Sequence, residues 1–435
     1  MTVKRTHACA IGRPQRIAAG TIAGWLAICA LAVPAAHAGP PRGACSNPEP
    51  GRPAIRPLPW AQDLLEPERV WPQTIGAGVT VAVIDSGVDA DQPQLRGRTL
   101  PGRDFYLVGQ LPGNYDCASH GTAVAGIIAA APTTGIGFHG VAPGVKILPV
   151  RVTDREAAEG ESSRTVDPDV LARGIVYAVD QGAKVINLSM AGSQNRRQVR
   201  QAVAYAVRKD VVVVASVGNR QSNQAESLPS YPASYPGVLG VGAIDIAGAR
   251  AGGSQAGSYV DLVAPGDGVL STSRVTGHMY VSGTSFAAPF VSATAALVRA
   301  AWPKLTAPQV IERLRATATP ARGGAGSAAY GAGIVDPYRA VTEGMPSRTV
   351  AVPAAAPAVP DVQELAAAAW RQRTGDGARG MTILAVATAA LLTVLGGILV
   401  AGRRRGWLAG RAQIGLPSGK PVVEELPENL FNRQA

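Results

Sequence analysis

An α/β fold, with a mostly parallel central sheet and helices on both faces, is what this sequence predicts, and three observations predict it. Short, largely apolar and β-branched runs recur at Val79 to Ile84, Lys146 to Val152, Lys184 to Leu188, Val211 to Ala215 and Val238 to Ile244. Helical patterns fill the intervals, at Thr122 to Ala131, Pro168 to Gln181 and Arg196 to Arg208. The strand runs are near-continuously apolar rather than alternating, the pattern of strands buried on both faces of a parallel sheet. Strand and helix in alternation require crossover connections, which leave helices covering the sheet on both sides.

Before that region, the N-terminus reads as a secretory signal over residues 1–38. A basic segment ends at Arg16, an apolar run covers Ile17 to Val33, and Ala36-His37-Ala38 offers a small-x-small cleavage site. The alternative is an anchor that stays uncleaved. Residues 39–74 are rich in proline, from Pro40 to Pro72. Proline lacks a backbone N–H and has a fixed φ, so this stretch is expected as an extended arm on the body, without helix or central strand. Of four cysteines, Cys9 and Cys29 leave with the signal, and Cys45 and Cys117 remain. In an exported chain that pair favours one disulfide holding the arm, with two separate thiols as the alternative.

The main globular region spans 75–343. Its loops Thr153 to Asp167 and Arg220 to Pro236 are polar, the first charged and rich in Ser and Glu. An apolar helix is expected from Phe286 to Trp302 and another from Ala307 to Thr317, with Tyr330 to Val341 closing the region. Residues 344–379 are rich in Ala and Pro, which suits a spacer. Met381 to Gly402 then carries no charge. At ~1.5 Å per residue it rises ~33 Å, enough for a hydrocarbon core of ~30 Å, so a C-terminal transmembrane helix is expected over 381–402. Arg403, Arg404 and Arg405 follow at once and place residues 403–435 in the cytoplasm by the positive-inside rule, with the larger N-terminal part outside.

The formal net charge is +11. Lys4, Arg5, Arg13 and Arg16 precede the signal core, and Arg403 to Arg405, Arg411, Lys420 and Arg433 outnumber the tail carboxylates Glu424, Glu425 and Glu428. Most of the excess therefore sits in terminal segments, and a nucleic-acid partner is not implied. No G-x-G-x-x-G follows the first strand and no P-loop is present, so a nucleotide cofactor is not expected either. Two retained cysteines cannot alone make a structural zinc site, and no calcium-loop pattern stands out; the Glu156 to Asp169 loop reads as solvated. Metal ligands and cofactors are thus expected to be none.

Ser285 stands in Gly283-Thr284-Ser285-Phe286-Ala287-Ala288-Pro289, at the start of the predicted helix. There its hydroxyl can attack a carbonyl while nearby unpaired N–H groups hold the oxyanion, or it can simply cap the helix. A nucleophilic serine needs a base and the base needs a carboxylate. After removal of His7 and His37, the histidines are His120, His139 and His278. His120 precedes a helix of small residues and is the preferred base; the other two lie in glycine-containing loops. Asp85 ends the first strand, where ligands gather in parallel α/β sheets, although an Asp before Ser86-Gly87 can also start a turn.

Three blocks turn these into a specific resemblance: Val83-Ile84-Asp85-Ser86-Gly87-Val88-Asp89, His120-Gly121-Thr122-Ala123-Val124-Ala125-Gly126, and the Ser285 block. In that order they resemble the signatures of subtilisin-like serine proteases. The resemblance runs from about Trp60 to Glu343 and implies a seven-stranded, mostly parallel sheet and hydrolysis of polypeptide substrates. It makes Ser285 the nucleophile, His120 the general base and acid, and Asp85 the orienting group. It further implies that Asn219, in Val214-Ala215-Ser216-Val217-Gly218-Asn219, donates to the oxyanion beside the Ser285 N–H. Ser189-Met190-Ala191 would line the primary specificity pocket. Ala191 stands where relatives often carry Gly, and Ser216-Val217 where they carry Ala-Ala.

The signal, the Pro-rich arm with its cysteine, the block Ile136-Gly137-Phe138-His139-Gly140-Val141-Ala142-Pro143 and the C-terminal helix with its basic tail together resemble the mycosins. That implies a membrane-anchored protease beside the type VII secretion membrane complex. The leader between Ala38 and Val79 is too short for a folded inhibitory prodomain and reads as a wrapping arm. The alternative function is a scaffold that stabilises the secretion complex, with proteolysis secondary.

Overall fold

The computed structural model describes residues 40–344 apart from 42, 46–47, 108–110, 155–165, 222–226 and 325, and residues 392–406 apart from 393 and 405. The chain divides into two units, Met1–Val350 and Ala351–Ala435.

In the first unit, seven strands form one sheet: β1 (Thr80–Asp85), β2 (Arg103–Asp104), β3 (Lys146–Arg151), β4 (Val185–Leu188), β5 (Val212–Ser216), β6 (Val238–Ile244) and β7 (Leu262–Pro265). Their order across the sheet is β2-β3-β1-β4-β5-β6-β7, and every pairing is parallel. Every residue of β4, β5, β6 and β7 is buried, as the apolar runs require. Alternate residues feed two cores, because successive side chains point to opposite faces. Val81, Val83, Val185, Val212 and Val214 face one cluster; Ala82, Ile84, Ile186, Val213 and Ala215 face the other.

Helices α2 (His120–Ala129), α5 (Thr284–Ala301) and α6 (Ala307–Ala316) cover the first face, and α3 (Pro168–Asp180) and α4 (Arg197–Arg208) cover the second. All ten residues of α2 are buried, consistent with its unbroken run of small and apolar side chains. In α4 only Val199, Ala202, Val203 and Ala206 are buried, a single stripe at helical spacing. Each large aliphatic side chain buried this way contributes roughly 1.5–3 kcal/mol.

The structure adds elements that the sequence pattern did not show. Strand β2 is only two residues, both charged, β7 is four residues ending in Pro265, and β8 (Val269–Thr272) and β9 (His278–Val281) form a separate antiparallel hairpin. Helix α2 starts two residues earlier than expected, at His120, and stops at Ala129 because Ala130 has ψ of 130°.

The helix-free reading of 39–74 is corrected. Trp60–Leu65 forms a short helix, α1, and Pro67–Arg69 a 3-10 turn. The prolines explain both: Pro59 stands at the N-cap, where its missing N–H costs nothing, and none interrupts Trp60 to Leu65. Ala61 and Leu65 join the first core. Between Pro48 and Pro59 the arm forms neither helix nor strand and is pinned by backbone hydrogen bonds, including Glu49 N to Cys117 O, Arg52 N to Thr276 O and Gly137 N to Arg56 O. Cys45 and Cys117 are joined in a disulfide, with Cα atoms 5.5 Å apart. Among the described residues the last helix of the unit is α7 (Pro337–Thr342).

In the second unit, residues 394–404 are helical. Among the described residues no helix is long and apolar enough to cross a membrane. The signal (1–38), most of the spacer (344–379), most of the apolar run (381–402), most of the tail (403–435) and most of the Thr153 to Asp167 loop lie outside the described residues.

Candidate active site

The site is assembled where β1 ends and where α2 and α5 begin. Asp85 is the last residue of β1 and is 1% exposed. Its Oδ1 accepts from the Ser86 N–H at 2.7 Å and lies 2.6 Å from His120 Nδ1. His120 is the first residue of α2, presented by Ser119, which takes the left-handed conformation at φ 61°. The two elements touch because Gly121 has no side chain: a Cβ there would lie 2.0 Å from Gly87 O and 3.1 Å from Asp85 Cβ.

Behind this pair, the fully buried Asp116 fastens the strand end to the helix start. Its Oδ1 accepts from Ser86 Oγ at 2.9 Å and Ala118 N at 3.0 Å, and its Oδ2 accepts from Thr122 N at 2.9 Å and Thr122 Oγ1 at 2.6 Å. Ser86 Oγ in turn accepts from Gly121 N at 3.0 Å. Burial pushes the Asp116 carboxyl up to about 6, against the opposing pull of its Thr122 and Ala118 donors. Sequence reasoning missed Asp116, since its partners identify themselves only in three dimensions.

Ser285 is the second residue of α5, and the cap position belongs to Gly283 at φ 134°. The helix-cap reading of Ser285 therefore does not hold. Its Oγ donates to Ser189 O at 3.1 Å, and Ser189 Oγ donates to Ser285 O at 2.6 Å. Pro289 explains the second bond. Four residues on, it has no N–H to give to the Ser285 carbonyl, so Ser189 takes that place. Phe286, the next residue, packs its ring 5.0 Å from that of His120, which joins the start of α5 to the histidine.

Asn219 follows β5. Its Oδ1 accepts from Thr284 N at 2.9 Å and Thr284 Oγ1 at 3.0 Å, which turns Nδ2 toward Gly283; it lies 2.9 Å from where a Gly283 Cβ would sit. Ser189, Met190 and Ala191 run on from β4, Ser189 buried and the other two part-exposed. Buried Asn187, another residue that sequence reasoning missed, donates to Ser189 Oγ at 2.9 Å and accepts from Ser292 Oγ of α5 at 2.8 Å.

The other histidines are engaged elsewhere. His139 Nε2 meets Glu68 Oε1 at 2.5 Å, and His278 lies between the Ile55 N–H at 2.9 Å and Gln94 Oε1 at 2.7 Å. Among the described residues no group of three or more His, Cys, Asp or Glu is placed to hold a metal ion.

The subtilase family, peptidase S8, matches residues 76–333. The chain is 42% identical over 229 residues to the thermophilic serine proteinase of Bacillus sp. (strain AK1), covering 52% of this chain and 54% of that protein. It thus spans about half the length of that relative. It is 35% identical over 385 residues to mycosin-4 of Mycobacterium tuberculosis (strain ATCC 25618 / H37Rv), covering 78% of this chain and 81% of mycosin-4. Among solved structures it is similar to the serine protease MycP1, an essential component of the type VII (ESX-1) secretion system. The identity is 34% and the TM-score 0.57, covering 68% of this chain and 95% of that one. A family model that spans most of the sheet, on a fold with this geometry at its strand ends, leads to one assignment: the chain belongs to the subtilase family of serine endopeptidases and is mycosin-like within it.

Proposed function

We propose that the chain is a membrane-anchored serine endopeptidase working through Asp85, His120 and Ser285, beside a type VII secretion membrane complex. The observation that carries the catalytic part is the 2.6 Å contact between His120 Nδ1 and buried Asp85, on a ring packed against the residue after Ser285. A carboxylate at Nδ1 holds the imidazole in the tautomer whose Nε2 is a base. Ser285 Oγ attacks the scissile carbonyl as His120 takes its proton. The oxyanion is held by Asn219 Nδ2 and the Ser285 N–H. His120 returns the proton to the leaving amine, and water then releases the acyl group by the same route in reverse.

The segments beyond the peptidase domain complete the reading: signal (1–38), arm (39–74), peptidase domain (75–343), spacer (344–379), transmembrane helix (381–402) and cytoplasmic tail (403–435), with the peptidase outside the cytoplasm. The uncharged Met381 to Gly402 run and the arginines after it support the anchor. Tethering would hold the protease near substrates leaving a channel and raise its effective concentration there. The experiment is labelling with a fluorophosphonate probe. Label on the wild-type chain and none on Ser285→Ala is the expected result; equal label on both removes Ser285 from the nucleophile's role.

A scaffold role has one observation in its favour, that the similar MycP1 is an essential component of its secretion system. Complementation separates the two: a Ser285→Ala chain that restores secretion to a deletion strain makes scaffolding the principal function.

A further inference from the structure

Helix α2 starts at His120 and rests on the β8–β9 hairpin. From β8, Ser271 Oγ donates to Ala123 O at 2.6 Å and Thr272 Oγ1 to Thr122 O at 2.9 Å, both in the first turn of the helix. The turn after β8 grips the helix start from both flanks. The Arg274 N–H donates to Ser119 Oγ at 3.3 Å, and Arg274 Nε donates to Asp116 O at 2.8 Å. The Val275 N–H donates to Asp89 Oδ2 at 2.7 Å, and the Asp89 N–H donates in turn to Thr122 Oγ1 at 3.0 Å. Ser119 and Thr122 bracket His120, and one turn holds both.

That turn is strained. Val275 has φ of 65°, and the Thr276 N–H donates to Arg274 O at 2.8 Å across it. A β-branched residue in the left-handed region persists only where its surroundings over-determine it, and such outliers gather at functional sites. Here the surroundings are the helix start on one side and the N-terminal arm on the other. Arg52 N donates to Thr276 O at 2.9 Å, and His278 N donates to Pro53 O at 3.1 Å. Gly51 of the arm lies so close that a Cβ there would stand 2.9 Å from Thr276 Cγ2 and 3.2 Å from Val275 Cβ. Arg274 joins the two sides. It is buried, and its Nη1 donates to Glu49 O of the arm. A buried cation must be well satisfied, so carbonyls at both ends fix its place.

We infer that Arg274 is a positioning residue for His120, and that through it a seated arm supports activity. It acts through the segment Asp116 to Ser119, which presents His120 to Asp85. Displacing that segment moves the imidazole relative to Asp85 and Ser285, and a misplacement of about 1 Å can cost ~10²-fold in rate. This rests on the proposed roles of His120 and Ser285.

The test measures kcat and KM of the full-length chain on one peptide substrate, below the melting temperature of each variant. Rates are taken per active site, counted by the endpoint of fluorophosphonate labelling. A wild-type chain that takes no label sinks the serine chemistry and this inference with it; with label present, the variants speak for Arg274 alone. Arg274→Met is expected to lose about tenfold or more in kcat at unchanged KM, with Arg274→Lys, which keeps a cation and donors, between it and the wild type. Lost stability alone would lower the labelled fraction and leave kcat per site as it was. Gly51→Val, which crowds the arm off the turn, should lower kcat in the wild-type background and add nothing in the Arg274→Met background. Arg274→Lys takes the place of Arg274→Met throughout should the latter fail to fold. Wild-type kcat per site in the Arg274 variant overturns the inference, as does a Gly51→Val effect that is absent or simply multiplies with it.

Discussion

His120 Nδ1 and Asp85 Oδ1 lie 2.6 Å apart, with the carboxylate 1% and the imidazole 8% exposed. A charge-assisted bond this sheltered fixes ring orientation as well as tautomer. Asp85→Asn keeps the shape but replaces the acceptor with an amide that can select the wrong tautomer. Such a change in a serine triad costs ~10⁴-fold in kcat. The expected outcome is a loss of that order with KM little changed, measured on a peptide substrate alongside a thermal melt. An effect under tenfold would leave Asp85 as a structural carboxylate.

Asn219 presents two separable groups: Oδ1 holds Thr284, while Nδ2, the proposed oxyanion donor, faces Gly283. Asn219→Asp keeps the acceptor for Thr284 and deletes the donor, while Asn219→Ala deletes both. Loss of one oxyanion donor costs ~10²–10³ in kcat, or ~2.7–4 kcal/mol. Both variants should therefore fall by at least that factor in kcat at similar KM, and Asn219→Ala should also melt lower. If Asn219→Asp retains wild-type kcat, the donor role is lost.

Gly121 tests the close approach of strand end and helix start. A methyl there would stand 2.0 Å from Gly87 O, backbone that cannot rotate aside. Overpacking of this kind costs ~1–3 kcal/mol. Gly121→Ala is expected to lower the melting temperature and to slow fluorophosphonate labelling more than its stability loss explains, because His120 moves with the helix. Labelling at the wild-type rate would show that the pair tolerates the displacement.

These contacts show what was readable in the chain beforehand. The strands β1, β4, β5 and β6 were legible because burial on both faces demands unbroken apolar runs. The edge strand β2 was not, because two residues carry no pattern, and α1 hid inside a proline-rich stretch whose prolines flank it without interrupting it. Asp85 was legible by its place at a strand end. Asp116 and Asn187 were not legible: Thr122 and Ser189 lie close by in the chain, but the partners that tie them across elements, Ser86 and Ser292, are 30 and 105 residues away, and pattern within a window cannot pair them.

The disulfide Cys45–Cys117 closes a sequence separation of 72 residues and ends three residues before His120. By the chain-entropy relation a loop of that size contributes about 4 kcal/mol, less where the unfolded chain keeps structure. Cys45→Ser with Cys117→Ser is expected to lower the melting temperature by several degrees. Limited proteolysis should cut the double variant first within the arm. An unchanged melt and unchanged cutting pattern would mean that the backbone contacts of Glu49 and Arg52 hold the arm unaided.

The arm also has a pH-sensitive fastening at His278. The Ile55 N–H donates to Nδ1 at 2.9 Å, so the proton of the neutral ring belongs on Nε2, toward Gln94 Oε1 at 2.7 Å; the Phe138 ring packs edge-on at 5.4 Å. Burial pushes the His278 pKa down from its ordinary value. The folded chain therefore binds fewer protons at this site than the unfolded chain once pH drops below about 6.5. The contribution is complete above that value and is lost as pH falls through the lowered folded one, since a protonated Nδ1 cannot accept from Ile55. Hydrogen exchange at the Ile55 amide, corrected for the intrinsic rate, should be faster at pH 5 than at pH 7.5. In His278→Gln, which does not titrate, the two should agree. Equal protection of the wild-type amide at both pH values would show that the arm is held there by its other contacts.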